Sequence, residues 1–164
     1  MSALGQKNSE ESVVSLPRPE RILAIDYGRR RIGLALSDEL GLTAQPLAAI
    51  SRKNRVTDLK RLREVCERYS VGHIIVGYPL HITGEQSEMS AEASRFAARL
   101  SKILKIETEM VDERLTSWEA RQTLLETNAR SATKRGTVDD VAAAILLRDY
   151  LEQRRHSAPA TERD

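Results

Sequence analysis

The N-terminal third of the chain alternates apolar runs with short polar segments. Arg21–Asp26 and Ile32–Ser37 are rich in Ile, Leu and Ala, and Tyr27-Gly28-Arg29-Arg30 separates them. This pattern predicts a strand, a tight turn and a returning strand. A third short strand is predicted around Leu47–Ile50.

The apolar positions then change to helical spacing. Val56–Tyr69 is predicted to be a helix, and His73–Val76 a short buried strand bounded by glycines. A second helix is predicted over about Met89–Leu104, and another strand over about Ile106–Val111. This succession indicates strand–helix–strand crossovers.

Two further helices are predicted in the C-terminal third. Thr116 and Glu119 stand three residues apart, as in a capping box, so a helix is expected to begin there and reach about Thr127. After a polar loop, Thr137 can cap a last helix that reaches about Gln153. The order βββαβαβαα predicts an α/β fold in which a mixed sheet carries helices on both faces.

Length and composition indicate one domain without a membrane span. The chain has 164 residues, 40% of them hydrophobic, and no apolar run reaches membrane-spanning length. Residues 1–20 are expected to be a flexible extension, 21–155 the domain, and 156–164 a flexible tail. The N terminus lacks the regions of a signal peptide, and the single Cys66 is interpreted as a packing residue in a reducing compartment. A cytoplasmic location is therefore expected.

Three acidic residues far apart in the sequence, Asp26, Glu113 and Asp139, each stand at the edge of an apolar segment. A carboxylate at the end of a buried strand is costly unless a cation meets it. Mg²⁺ and Mn²⁺ take hard oxygen ligands of this kind from separate elements. The pattern therefore indicates a divalent-metal site and a candidate phosphodiester-cleaving enzyme.

Each acid also has a purely structural explanation. Asp26 can form an Asx turn into Gly28, and an acid near Glu113 can pair with Arg114 at the surface. Asp139 can stabilise the N terminus of the last helix through the helix macrodipole.

Neighbouring acids compete for two of the three positions. Asp112 and Glu113 face opposite sides if the strand continues, so only one need reach the same metal as Asp26, and Glu113 is favoured. Asp139 and Asp140 each share a helical face with apolar residues further along the last helix. Helical periodicity therefore does not decide which of the two aspartates is the ligand.

Other catalytic chemistries lack support in the sequence. The three histidines, His73, His81 and His156, are not paired at metal-ligand spacing, and the chain contains no G-x-S-x-G motif. His73 is interpreted as a core residue and Trp118 as a packing residue. The net charge of +2 is too small to indicate a nucleic-acid partner by itself, although basic residues gather locally, as in Arg52-Lys53-Asn54-Arg55.

Four motifs occur in order along the chain: DYGRRRIGLALS, IIVGYPL, VDERLTS and VDDVAAAILL. Together they resemble the YqgF/RuvX family, which is related in fold to the RuvC resolvases, over about Arg21 to Glu152. The resemblance implies a ribonuclease H-like fold with a five-stranded mixed sheet flanked by helices. It matches the family's acids to Asp26, Glu113 and Asp139, and the spacing of the last motif selects Asp139 over Asp140.

The resemblance implies a nuclease that processes the precursor of small-subunit ribosomal RNA during ribosome biogenesis. Holliday junction resolution in DNA recombination and repair is the alternative, since a shared fold does not choose between them. The implied cofactor is a pair of Mg²⁺ or Mn²⁺ ions, with Asp26 as the bridging ligand and Arg29, Arg31 and Arg114 as phosphate contacts. The expected partner is nucleic acid, with precursor ribosomal RNA favoured and structured DNA as the alternative, and the expected state is a monomer or homodimer.

Two functions from other classes remain. Actin-like ATPases share a sheet of this kind, but they need two such domains around the nucleotide, which argues against a chain of 164 residues. A catalytically silent RNA-binding factor of the same fold has the same sequence features. Metal-dependent cleavage distinguishes it from a nuclease.

Overall fold

A computed structural model describes residues 20–78, 87–113 and 138–158, and for 138–140 it describes the backbone alone. The described residues form five strands and three helices: β1 (Arg21–Tyr27), β2 (Arg31–Ser37), β3 (Ala44–Ser51), α1 (Arg55–Arg68), β4 (Val71–Tyr78), α2 (Glu88–Leu104), β5 (Glu107–Asp112) and α3 (Val138–Ser157). None of the described helices combines the length and the apolar character needed to cross a membrane.

Each element predicted within these ranges is present, with its ends displaced by at most four residues. The last helix continues past Gln153 to Ser157, whose hydroxyl donates to the carbonyl of Gln153 at 2.9 Å. Several predicted features lie outside the described residues: the N-terminal extension up to residue 19, the helix from Thr116 to about Thr127, the cap at Thr137, and the residues His81, Arg114 and Trp118.

The sheet is mixed, as the order of elements predicted. Its strand order is β3-β2-β1-β4-β5. The hairpin strands β1, β2 and β3 pair antiparallel, whereas β1 with β4 and β4 with β5 pair parallel. Parallel neighbours need crossover connections, and the helices α1 and α2 lie between the strands that they connect.

The edge strand β3 is longer than its sequence predicts, because it begins at Ala44 rather than near Leu47. The extension includes Pro46, which pairs with Ala35 of β2. Proline lacks an N–H donor, so it is tolerated where a strand has a neighbour on one side only. β3 is such an edge strand.

Alternate residues of β1 face two separate hydrophobic cores. Leu23, Ile25 and Tyr27 pack with residues of α1 and α2. Ile22 and Ala24 pack with residues of α3 on the opposite face. Since successive strand residues point to opposite faces, the side chain of Asp26 lies on the α3 face.

The helix α3 runs antiparallel to β1 across this face. Near its C-terminal half, Leu151 packs with Ile22 at the start of β1. Further toward its N terminus, Leu146 lies against Gly77, close to the end of β4. The first turn of α3 is therefore directed to the sheet edge at which β1 and β4 end.

Candidate active site

Two glycines flank Asp26 within the sheet. Asp26 is the penultimate residue of β1, and it pairs with Gly33 of β2 and with Gly77 of β4. Neither neighbour has a Cβ to crowd the half-buried Asp26 side chain, and glycine inside a strand often marks such a close approach. Sequence reasoning placed Gly77 at the end of a short strand and did not relate it to Asp26, whereas Gly33, inside a predicted strand, was a usable signal of a close approach.

The turn after Asp26 is tightly closed. The N–H of Gly28 donates to the carbonyl of Arg31 at 3.0 Å, and a Cβ added to Gly28 would lie 2.5 Å from that oxygen. Arg52, the residue after β3, donates from Nη1 to the Gly28 carbonyl at 3.0 Å and so holds the turn in place. The Asx-turn explanation of Asp26 has no matching hydrogen bond in the part of the chain that is described.

Glu113 lies on the same face as Asp26. It follows β5 directly, and a Cβ added to Gly77 would lie 3.0 Å from Glu113 Oε1 and 3.3 Å from its Cγ. That Cβ would point to the α3 face, where Leu146 also contacts Gly77. Asp112 pairs with Tyr78 and faces the opposite side by strand alternation. Of the two neighbouring acids, Glu113 is the one on the Asp26 face of the sheet, beside the glycine that pairs with Asp26.

The backbone of α3 places Asp139 and Asp140 at the same edge of the sheet. Helical side chains lean toward the helix N terminus, so Gly77 lies beside the turn that precedes Leu146. The two aspartates lie about one further turn, or about 5 Å, toward the N terminus of α3. Their side chains are outside the described residues. Buried residues on both helical faces leave the choice between them open, because Ala143, Leu146, Leu147 and Leu151 are all in the core.

The charges at this edge suit a hard cation. Among the side chains described in residues 20–78, 87–113 and 141–158, none donates a hydrogen bond to the half-buried Asp26 carboxylate, so its oxygen atoms are available to a cation. The described side chains, which exclude those of residues 138–140, contain no group of three or more His, Cys, Asp or Glu arranged to hold a metal ion. Asp26 and Glu113 are thus two carboxylates on one face of the sheet, and the backbone of α3 begins at the same edge.

The arginines predicted to contact phosphate lie around the β1–β2 turn. Arg29 and Arg31 are exposed at the turn and at the start of β2, and Arg114 lies outside the described residues. Arg29 also lines a groove on the other face of the sheet, beside Tyr27. The turn thus carries positive charge between the two faces.

A separate hydrogen-bonded cluster ties α3 to the parallel strands. Tyr150 Oη donates to Glu109 Oε2 at 2.8 Å, and His73 Nε2 lies 3.3 Å from the same carboxylate oxygen. Burial, followed by the hydrogen bond to Glu109, raises the pKa of Tyr150 to about 12. The interpretation of His73 as a core residue agrees with its mostly buried, hydrogen-bonded side chain.

The interpretation of Cys66 as a packing residue also agrees with the structure. Cys66 is buried between α1 and the sheet, within the core that α1 and α2 cover. Burial, and then the charge of Glu67, raises the pKa of the thiol to about 11, so the reactive thiolate is disfavoured at neutral pH.

Comparisons with known proteins agree with this geometry. The model of the family described as "RuvX: Holliday junction resolvase" matches residues 20–153. A relative from Koribacter versatilis (strain Ellin345), named "Putative pre-16S rRNA nuclease", is 47% identical over 135 residues, which are 82% of this chain and 88% of the relative. A relative of the same name from Syntrophus aciditrophicus (strain SB) is 41% identical over 132 residues, 80% of this chain and 88% of the relative.

Solved structures share the fold at low sequence identity. RuvC of T. thermophilus in complex with a Holliday junction substrate aligns with a TM-score of 0.57 at 15% identity, over 84% of this chain and 97% of that one. The fowlpox virus Holliday junction resolvase aligns with a TM-score of 0.50 at 14% identity, over 81% of this chain and 99% of that one. The expected ribonuclease H-like fold is thereby confirmed.

Proposed function

Because this chain belongs to the RuvX family, we propose that it is a metal-dependent nuclease that processes an end of pre-16S ribosomal RNA in the cytoplasm. The observation that carries the proposal is the convergence of Asp26, Glu113 and the first turn of α3 at one edge of the sheet. The names of relatives at 41% and 47% identity support precursor ribosomal RNA as the partner.

The proposed ligands of Mg²⁺ or Mn²⁺ are Asp26, Glu113 and Asp139. Asp26 and Glu113 fit this role because they supply hard oxygen atoms from two strands on one face. When bound, the ions would activate a water molecule and stabilise the leaving oxygen of the phosphodiester.

The protein's own residues position these groups. The closed turn at Gly28, braced by Arg52, holds the end of β1 and with it Asp26. The missing side chain at Gly77 leaves the space that Glu113 occupies. Arg29, Arg31 and Arg114 are proposed to hold or neutralise the phosphate, as a guanidinium donates paired hydrogen bonds to phosphate oxygens.

Holliday junction resolution is the second candidate function. It is supported by the description of the matching family, whereas the likeness to RuvC concerns the fold. The small net charge of +2 favours a flexible strand, since four duplex arms present far more phosphate to be neutralised. We propose a monomer or a homodimer as the active species.

A cleavage assay with two substrates tests the proposal. Precursor ribosomal RNA and a four-way DNA junction are offered side by side, with Mg²⁺ or Mn²⁺ and matched salt. Preferential cutting of the RNA end is expected. Faster, symmetric cutting of the junction would establish the resolvase function instead, and metal-independent binding without cleavage of either substrate would indicate a silent RNA-binding factor.

A further inference from the structure

A basic groove lies on the face of the sheet opposite Asp26. It has a volume of about 550 Å³ and is bounded by the end of β1, the β1–β2 turn, the segment from β3 into α1, and α2. Six of the side chains that line it are cationic: Arg29, Arg52, Lys53, Arg55, Arg95 and Arg99. These residues come from three separate parts of the sequence, so the fold creates the cluster.

Little of this charge is neutralised by the protein. In the described ranges, none of the six cations has a carboxylate oxygen within 4 Å. The groove also contains Asp58 and Glu92. Asp58 is buried, and its Oδ1 accepts a hydrogen bond from the Lys53 N–H at 3.1 Å, so it serves the start of α1. Such a concave cluster of like charges attracts a polyanion.

One cation is structural and the others remain available. Arg52 donates to the carbonyls of Gly28 and Arg29, and its guanidinium lies 4.7 Å from the centre of the Tyr27 ring. In contrast, Arg55 and Arg95 are exposed at opposite walls of the groove, on α1 and α2. Arg55 also begins a helix, whose N-terminal dipole adds to the attraction for anions.

We propose that this groove binds the sugar-phosphate backbone of a single nucleic-acid strand and guides it over the β1–β2 turn to the acids. The connection is direct, because Tyr27 lines the groove while its neighbour Asp26 faces the other side. Arg29, on the turn between the two faces, contributes to the groove. The part of the proposal that concerns the acids rests on the proposed nuclease function.

The dimensions and the aromatic residues define what the groove recognises. A volume of about 550 Å³ is typical of a small-ligand cleft and accepts a short stretch of one strand, not a double helix. Tyr27 and Phe96 are 8% and 7% exposed and pack against each other with ring centres 4.6 Å apart. They offer no open surface for base stacking. Recognition therefore rests on the backbone and is independent of base sequence.

The test measures binding separately from cleavage. Asp26→Asn serves as the background, without divalent metal, and fluorescence anisotropy follows a labelled single-stranded RNA, its DNA counterpart and a four-way DNA junction. Arg55→Glu with Arg95→Glu is compared with Lys60→Glu with Lys102→Glu. The control makes the same change of charge on the same two helices, at exposed lysines that do not line the groove.

The groove variant is expected to bind both single strands at least about tenfold more weakly than the control variant. It should also lower the slope of log K against log salt by about 1.4, which is roughly 0.7 for each of two lost phosphate contacts. Homopolymers of different bases should be affected alike. Melting temperatures of both variants check that the fold is retained, and Arg95→Gln alone provides a milder variant if the double reversal unfolds the protein.

Three outcomes would contradict the proposal that the groove binds a single strand. They are equal losses in the groove and control variants, loss confined to the junction, and no loss at all. Failure of the proposed function has a different signature, since the unmodified chain would then cleave no nucleic acid with Mg²⁺ or Mn²⁺ while the groove variant still lost binding. In that case the groove would stand as a strand-binding surface.

Discussion

The side chain of Glu113 occupies the space that Gly77 leaves vacant in β4. A Cβ on Gly77 would lie 3.0 Å from Glu113 Oε1 and 2.7 Å from Leu146 Cδ2. Because Gly77 also pairs with Asp26 in the sheet, this single glycine joins the two described acids and α3. The ends of β1 and β5 and the helix α3 therefore meet at one residue of β4 that has no side chain.

Gly77→Ala is expected to reduce nuclease activity strongly while leaving the protein folded. The added methyl group displaces Glu113 or Leu146, and overpacking of this kind costs about 1–3 kcal/mol of the free energy of unfolding. The measurements are metal-dependent cleavage and denaturant unfolding.

Ile74→Val is the control for this variant. Ile74 is fully buried in the same strand on the other face, so its truncation costs about 1 kcal/mol without touching the acids. Comparable loss of activity in both variants would mean that general stability, and not the position of Glu113, limits cleavage.

Asp26→Asn should abolish cleavage and keep the fold. The substitution removes one negative charge from a hard-cation site, whereas the core residues of β1 are unchanged. The loss should exceed the 10–100-fold that changes to second-shell partners of metal ligands typically cost. Cleavage rates over a range of Mn²⁺ concentrations, together with circular dichroism, measure both effects. A folded, fully active variant would remove Asp26 from the site.

The neighbouring acids should differ in their effects. Glu113→Gln is expected to lose more activity than Asp112→Asn, because Glu113 faces the side of Asp26 and Asp112 faces away. Asp139→Asn is expected to lose more than Asp140→Asn, on the family spacing. Cleavage assays of the four variants, run in parallel, test the two pairs separately. If the expected order is reversed within a pair, the other acid of that pair is the ligand.

Stability should fall at alkaline pH in a way that depends on Tyr150. The pKa of Tyr150 is raised from 10.0 to about 12, so the folded state favours its neutral form. Its contribution is complete below pH 10, declines as the pH rises from 10 toward 12, and is lost above that. Urea unfolding at pH 8 to 12 measures this decline.

Tyr150→Phe provides the comparison. It should cost about 1 kcal/mol at neutral pH, since the hydrogen bond to the half-exposed Glu109 is lost, and its stability should fall less steeply above pH 10. Cys66 also titrates in this range but is present in both proteins, so the difference isolates Tyr150. Identical pH profiles would show that the phenol contributes nothing.

Deletion of Met1–Leu16 should leave the melting temperature nearly unchanged. This polar segment offers few apolar residues to bury, and the domain is expected to begin near residue 21. Differential scanning calorimetry of the full and shortened chains is the measurement. A fall of several degrees would show that the segment packs, within one chain or across a dimer.

The sequence by itself determined the strands and helices that the structure describes, and it supplied the acids proposed for the site. Strand and helix periodicity depend on local backbone geometry, so the pattern from Arg21 to Val111 predicted β1–β5, α1 and α2. Strand alternation also separated Asp112 from Glu113 before any contact was known, because successive side chains point to opposite faces. The four motifs indicated the family, and the resemblance to the family implied the ribonuclease H-like fold.

Only the tertiary structure decided which distant residues became neighbours. Register placed Gly33 and Gly77 on either side of Asp26, and packing brought Glu113 against Gly77. The basic groove likewise joins Arg29 and Arg55 to Arg95, cations whose local sequence shows no relation between them. The physical reason is that strand pairing and helix docking minimise the free energy of the whole chain, through contacts between segments far apart in sequence that no local pattern encodes.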